Sequence, residues 1–196
     1  MFNELADSLQ IIINGISHNY LFVLSVIGIL WGILLVNRLM RGLFCLLGVY
    51  PRRLFGLIGI IFSPFIHYHY EHLLFNCLPL FLLMNFILLN GYRLFYTVSI
   101  GIILIAGGLT WLFGRRAVHY GASHVIMGYF GYLLCSAFVS FSILTLGLAG
   151  IAIYYFGGAL LSIFPVEDRV SWESHLFGLI AGVIMCFLLS NYYLVI

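Results

Sequence analysis

Six stretches of this chain run for close to twenty residues with hardly a charge, and nothing else in the sequence restricts its fold so strongly. The hydrocarbon core of a bilayer is about 30 Å thick and takes about 20 residues of α-helix to cross. Inside it no water pairs a backbone N–H or C=O, so only helices or closed barrels can span it. Long unbroken apolar runs select helices. With 64% of its 196 residues hydrophobic and only 7% charged, the chain has the bilayer as its solvent. The expected spans are residues 20–36, 70–89, 94–113, 122–140, 143–164 and 174–194, the fifth stopping at Pro165 and a polar loop, residues 166–172, leading into the sixth. Residues 9–16 are also apolar and are expected to lie at the interface. Residues 41–65 are interrupted by Gly42, Gly48, Pro51-Arg52-Arg53, Gly56, Gly59 and Ser63-Pro64, too often for one straight helix. They are expected to form a long loop with short helices, partly sunk in the membrane. The fold class is thus an all-α polytopic membrane protein, and residues 1–196 read as a single domain without internal repeats. The first residues, Met1 to Asp7, carry no basic region ahead of the apolar stretch, so the first span is expected to stay rather than be cleaved as a signal.

Several function classes drop out at once. The eight basic residues are all arginines, too scattered for a nucleic-acid footprint. Cys45, Cys77, Cys135 and Cys186 stand apart in apolar surroundings with no paired spacing. No cofactor is expected and no metal: there is no H-E-x-x-H. The pairs His67/His72 and His119/His124 do have the H-x4-H spacing of membrane di-iron oxygenases, but the H-x-x-H-H box of those enzymes is missing. His18, His69 and His119 read as interfacial or loop histidines.

Three stretches carry chemistry. Gly121-Ala122-Ser123-His124 sets a hydroxyl at the mouth of the fourth span, behind small residues that let a backbone or substrate come close. A serine in such a helix commonly does no more than bond back to the carbonyl one turn earlier. His175 opens the sixth span, with Gly178 and Gly182 below it on the same face, and an ionisable residue inside a span is costly enough to be a functional candidate. Small residues at that spacing let a second helix pack tightly, and Gly128 and Gly131 of the fourth span answer them. In the second span His72 and Asn76 lie one turn apart, both able to donate hydrogen bonds. Spans two, four and six cross in the same direction, and His72, Ser123 and His175 each sit near the start of theirs. All three therefore share one depth in the membrane.

In this order and spacing the motifs resemble those of rhomboid intramembrane serine proteases. His67-x4-His72-Leu-x-x-Asn76, Gly121-Ala-Ser123 and His175-Leu-Phe-Gly178-Leu-Ile-Ala-Gly182 match the family pattern, and Trp111-Leu-Phe-Gly114-Arg115 is similar to bacterial members. The likeness extends over about residues 48–190. Two positions depart from it: His124 stands where glycine usually follows the serine, and Met127 where an aromatic residue usually stacks on the histidine.

The resemblance implies a Ser123/His175 dyad without an aspartate, and an oxyanion hole made by the Ser123 N–H with the His72 and Asn76 side chains. Gly121, Gly178, Gly182 and Met127 would shape the site. The implied substrate is a transmembrane segment of another protein, entering laterally from the lipid. The alternative is a rhomboid-like pseudoprotease that binds membrane helices without cutting them. Seven of the arginines fall in the first, third and fifth connections, which by the positive-inside rule puts those loops in the cytoplasm. The resemblance implies the opposite orientation, which is the one expected: both termini cytoplasmic, the site toward the outer leaflet of a bacterial inner membrane.

Overall fold

A computed structural model of the protein describes residues 2–164 and 171–193. Pro165, most of the loop at 166–172 with its Arg169, and Leu194 lie outside the described residues. The described chain is helical throughout: α1 (Phe2–Leu39), 3₁₀ turns at Leu43–Leu47 and Leu54–Leu57, the single turn α2 (Gly59–Phe62), a further 3₁₀ turn at Ser63–Phe65, then α3 (Tyr70–Leu88), α4 (Tyr92–Phe113), α5 (Ser123–Ser140), α6 (Ile143–Phe156), a 3₁₀ stretch at Gly157–Ile163, and α7 (Trp172–Tyr193). Among the described residues six helical segments are long and apolar enough to cross a membrane. Their ends fall within two residues of the expected ones, save at two places.

The first is α1. The expected break between an interfacial segment at 9–16 and a span from residue 20 does not occur, and one helix of 38 residues runs through both. The cause is local: no proline interrupts it, and Gly15, Gly28 and Gly32 are single. At 1.5 Å per residue it is about 57 Å long, too much for tilt to absorb in a 30 Å core, so one end projects beyond it. The second is the fifth span, which leaves α-geometry at Gly157-Gly158 and continues as a 3₁₀ helix to Ile163.

The interior helix is α5. Most of its residues are buried, whereas few of those in α1 and the fifth span are. Helix α7 packs along α5, α4 closes over both, and α3 packs against α1.

The long first connection is docked rather than free. Val49 and His119 exchange two backbone hydrogen bonds of 2.9 Å, and the Gly121 N–H donates to the Ser63 carbonyl at 2.9 Å. The Arg52 N–H donates to the Trp111 carbonyl and the Trp111 indole to the Arg53 carbonyl. Asn37, fully buried at the end of α1, accepts from the Phe44 N–H and donates to the His67 carbonyl, both at 2.9 Å. These bonds join the end of α1, the connection and the approach to α5 into one frame. On that frame the candidate site is built.

Candidate functional site

Gly121 turns the chain into α5 with φ +119°, a conformation that residues with a Cβ rarely adopt. A Cβ there would stand 2.7 Å from Cε1 of His72, so the His72 ring lies directly against the turn that delivers Ser123. Asn76, one turn further along α3, is buried and its Nδ2 lies 3.0 Å from Nε2 of His67. The same His67 nitrogen accepts the Ala122 N–H at 3.2 Å. Two donors on one ring nitrogen require that it be the unprotonated one, so the proton of the neutral ring is on Nδ1.

His67 thus ties α3 to the residue before Ser123. It is fully buried, its ring meets that of His72 edge to face at 5.1 Å, and burial, with the neighbouring His72, lowers its pKa from 6.5 to about 3. In the sequence His67 is part of a motif without an evident role of its own. Its partners lie 9 and 55 residues away, and the signal available was only the H-x4-H spacing with an asparagine following.

The other wall is α7. A Cβ on Gly178 would stand 2.1 Å from the His124 carbonyl oxygen, and one on Gly182 would stand 1.8 Å from that of Gly128. From the α5 side, a Cβ on Gly131 would meet the Leu179 carbonyl at 2.5 Å. The two backbones touch without intervening side chains, as the glycine spacing predicts. This register, followed back one turn from Gly178, sets His175 level with Gly121 to Ser123. Ser123 and His175 are both partly exposed, while Met127, one turn into α5, is buried. Among the described residues no hydrogen bond joins Ser123 to His175. Instead Nδ1 of His175 lies 2.7 Å from the Ser162 hydroxyl, at the end of the 3₁₀ stretch.

His119 lies in the loop between α4 and α5, as expected, and is held there on both ring nitrogens. It is buried, its Nε2 lies 3.0 Å from the Arg115 carbonyl, and its Nδ1 is hydrogen-bonded to the Ser171 hydroxyl. Burial lowers its pKa, consistent with a neutral ring in a clasp between the approach to α5 and the start of α7. Arg115 strengthens the clasp, with Nε 3.5 Å from the buried carboxylate of Glu173. His124 is buried beside it and, with Ser63, Thr110, His119 and Ser174, lines a pocket of about 10 Å³, the size that admits a single water. Nε2 of His124 and the hydroxyl of Ser63 find no partner among the described residues. The two H-x4-H pairs do not form a metal-binding group there.

Residues 54–192 match the model of the Rhomboid domain. Over 178 residues, 86% of this chain, the sequence is 33% identical to uncharacterized protein Mb1372 of Mycobacterium bovis and to uncharacterized protein Rv1337 of Mycobacterium tuberculosis, covering 74% of each. Uncharacterized protein ML1171 of Mycobacterium leprae is 32% identical over the same length, with 70% of it covered. The matched domain takes in every residue of the three motifs, from His67 through Ser123 to His175 and Gly182, and the six apolar helices make the protein an integral multi-pass membrane protein: the chain belongs to the rhomboid family.

Proposed function

We propose that the protein is a serine endopeptidase that cuts transmembrane segments of other proteins within the membrane. The observation that supports this reading is the glycine-tight seam between α5 and α7, which packs the first turns of the two helices, those that carry Ser123 and His175, against each other. A hydroxyl is a weak nucleophile near neutral pH, and a base at its side is what chemistry requires. His175 takes the Ser123 proton through Nε2 as Oγ attacks the scissile carbonyl, and returns it to the leaving amine. Water then hydrolyses the acyl-enzyme with the same base. Catalytic hydrogen bonds are often long in unliganded enzymes and tighten on substrate engagement, as the Ser123–His175 pair must.

Negative charge developing on the carbonyl oxygen needs donors fixed in advance, each worth on the order of a hundredfold in rate. The Ser123 N–H, at the start of α5, has no partner within that helix. The second N–H of Asn76, beside the one facing His67, is held next to the turn, and His72 lies against Gly121. The substrate class follows from the surroundings: the site lies near one end of three spans, among helices whose outer faces are apolar, so a helix from the bilayer reaches it sideways. In this reading the site faces the outer leaflet of a bacterial inner membrane. Labelling by a fluorophosphonate that disappears in Ser123→Ala tests the reading.

A second reading, a pseudoprotease that binds membrane helices without cutting them, is favoured by one observation: His175 is hydrogen-bonded to Ser162 and not to Ser123. Absence of any Ser123-dependent labelling, in a protein that still binds transmembrane segments, would select it.

A further inference from the structure

The hydroxyl of Ser162 is bonded on two sides. It donates to the carbonyl of Ala159 at 2.5 Å, and its oxygen lies 2.7 Å from Nδ1 of His175. A serine hydroxyl has one proton and two lone pairs. With the proton committed to Ala159, the bond to His175 has one possible polarity: Nδ1 carries a hydrogen and donates it to Ser162. The neutral ring then has its lone pair on Nε2, on the edge away from the 3₁₀ stretch. That is the tautomer a base needs to take a proton from a serine on α5.

The backbone explains why Ser162 arrives there. After Gly157-Gly158 the helix tightens from about 100° to about 120° per residue, and its rise lengthens from about 1.5 to 2.0 Å. Over the six residues from Phe156 to Ser162 the change accumulates to about 120° of rotation and about 3 Å of extra reach. Had α6 continued as an α-helix, residue 162 would point elsewhere.

We infer that Ser162 is a positioning residue for the base: the third member of a Ser123–His175–Ser162 relay, which holds the His175 ring in its orientation and in the Nδ1–H tautomer. The inference rests on the protease reading above. It assigns Ser162 no contact with substrate. A neutral hydroxyl accepting from Nδ1 is a weaker orienting group than a carboxylate, so its loss lowers the rate without abolishing it. From the usual worth of one neutral hydrogen bond, that loss is about threefold to tenfold.

The full chain in liposomes decides it, with Ser162→Ala, Ser162→Thr and Ser123→Ala measured beside the wild type. Two quantities are read: kcat and KM on a model transmembrane substrate, and both the rate and the end-point of fluorophosphonate labelling. Ser162→Ala should lower kcat and the labelling rate by the same about threefold to tenfold factor, with KM and the end-point unchanged, and Ser162→Thr should restore both. A wild-type labelling rate in Ser162→Ala, or a Ser162→Thr as slow as Ser162→Ala, overturns the inference while leaving the protease reading intact. So does a fall in the end-point alone, which signals lost folding. Should cleavage persist in Ser123→Ala, both fall together.

Discussion

Replacing Gly182 by alanine adds one methyl group where the structure has no room for it. The new Cβ would stand 1.8 Å from the Gly128 carbonyl oxygen, 2.7 Å from its carbon and 2.8 Å from the Tyr132 nitrogen, and all three atoms are backbone. Ordinary contact begins at about 3.4 Å, so α7 must retreat from α5 by about 1.5 Å at that level. Overpacking a core by a methylene or two costs about 1–3 kcal/mol, and here no flexible side chain can yield, which puts the cost at or above the top of that range. His175 is carried on the retreating helix. A displacement of about 1 Å in a catalytic group costs on the order of a hundredfold in rate. Gly108, inside α4, is the control: a Cβ there meets nothing within 4 Å, so Gly108→Ala should hold activity and gain up to about 1 kcal/mol from helix propensity. Thermal unfolding in detergent and turnover of a transmembrane substrate measure both variants. A Gly182→Ala protein with wild-type stability and turnover would refute the idea that the α5–α7 contact sets the Ser123–His175 distance.

Gly121→Ala combines a positive φ with a methyl 2.7 Å from the His72 ring, so it should lower turnover by at least about tenfold with a smaller effect on unfolding; steady-state kinetics beside a melting curve would check this. His67 sets an acid limit on stability. Its folded-state pKa of about 3 lies below the unfolded 6.5, so only the unfolded chain takes up its proton between those values, and stability falls as pH drops through that window by at most about 1.4 kcal/mol per unit. Melting temperatures from pH 7 to pH 4 should show this fall, and His67→Gln should flatten it while being less stable at neutral pH. His124→Gly should keep its activity, because the ring lines a pocket with Ser63 and Thr110 and its Nε2 has no partner there; lost cleavage in a folded His124→Gly would give the histidine a role in the reaction.

What could be read in advance depended on whether the governing interaction was local. The ends of α3, α4 and α5 follow from apolar length and from punctuation such as Asn90-Gly91 and Gly114, which act within a few residues. The α5–α7 seam was legible too, because Gly178 and Gly182 repeat at helical spacing and Gly128 and Gly131 answer them. The full length of α1 was not, since an apolar helix carries no mark of where the bilayer stops. Nor was the role of His67, whose bonds reach Asn76 in one direction and Ala122 in the other. That the fifth span turns into a 3₁₀ helix at Gly157-Gly158 and brings Ser162 onto His175 is a tertiary outcome that no local signal announces. His119 is a similar case. Its bond to the Arg115 carbonyl is local, but the one to Ser171 forms only when α7 has docked.

The central claim is that Ser123 is a nucleophile activated by His175, and the rate of covalent labelling of Ser123 by a fluorophosphonate reads it without any assumption about the natural substrate. Wild-type protein in liposomes should label at a single site, lose the label entirely in Ser123→Ala, and lose nearly all of it in His175→Ala, because an unassisted serine reacts poorly near neutral pH. Asn76→Ala and His72→Ala should keep labelling, and each should lower peptide turnover by about tenfold to a thousandfold. Labelling that persists in Ser123→Ala, or that is as fast in His175→Ala as in the wild type, would contradict the claim.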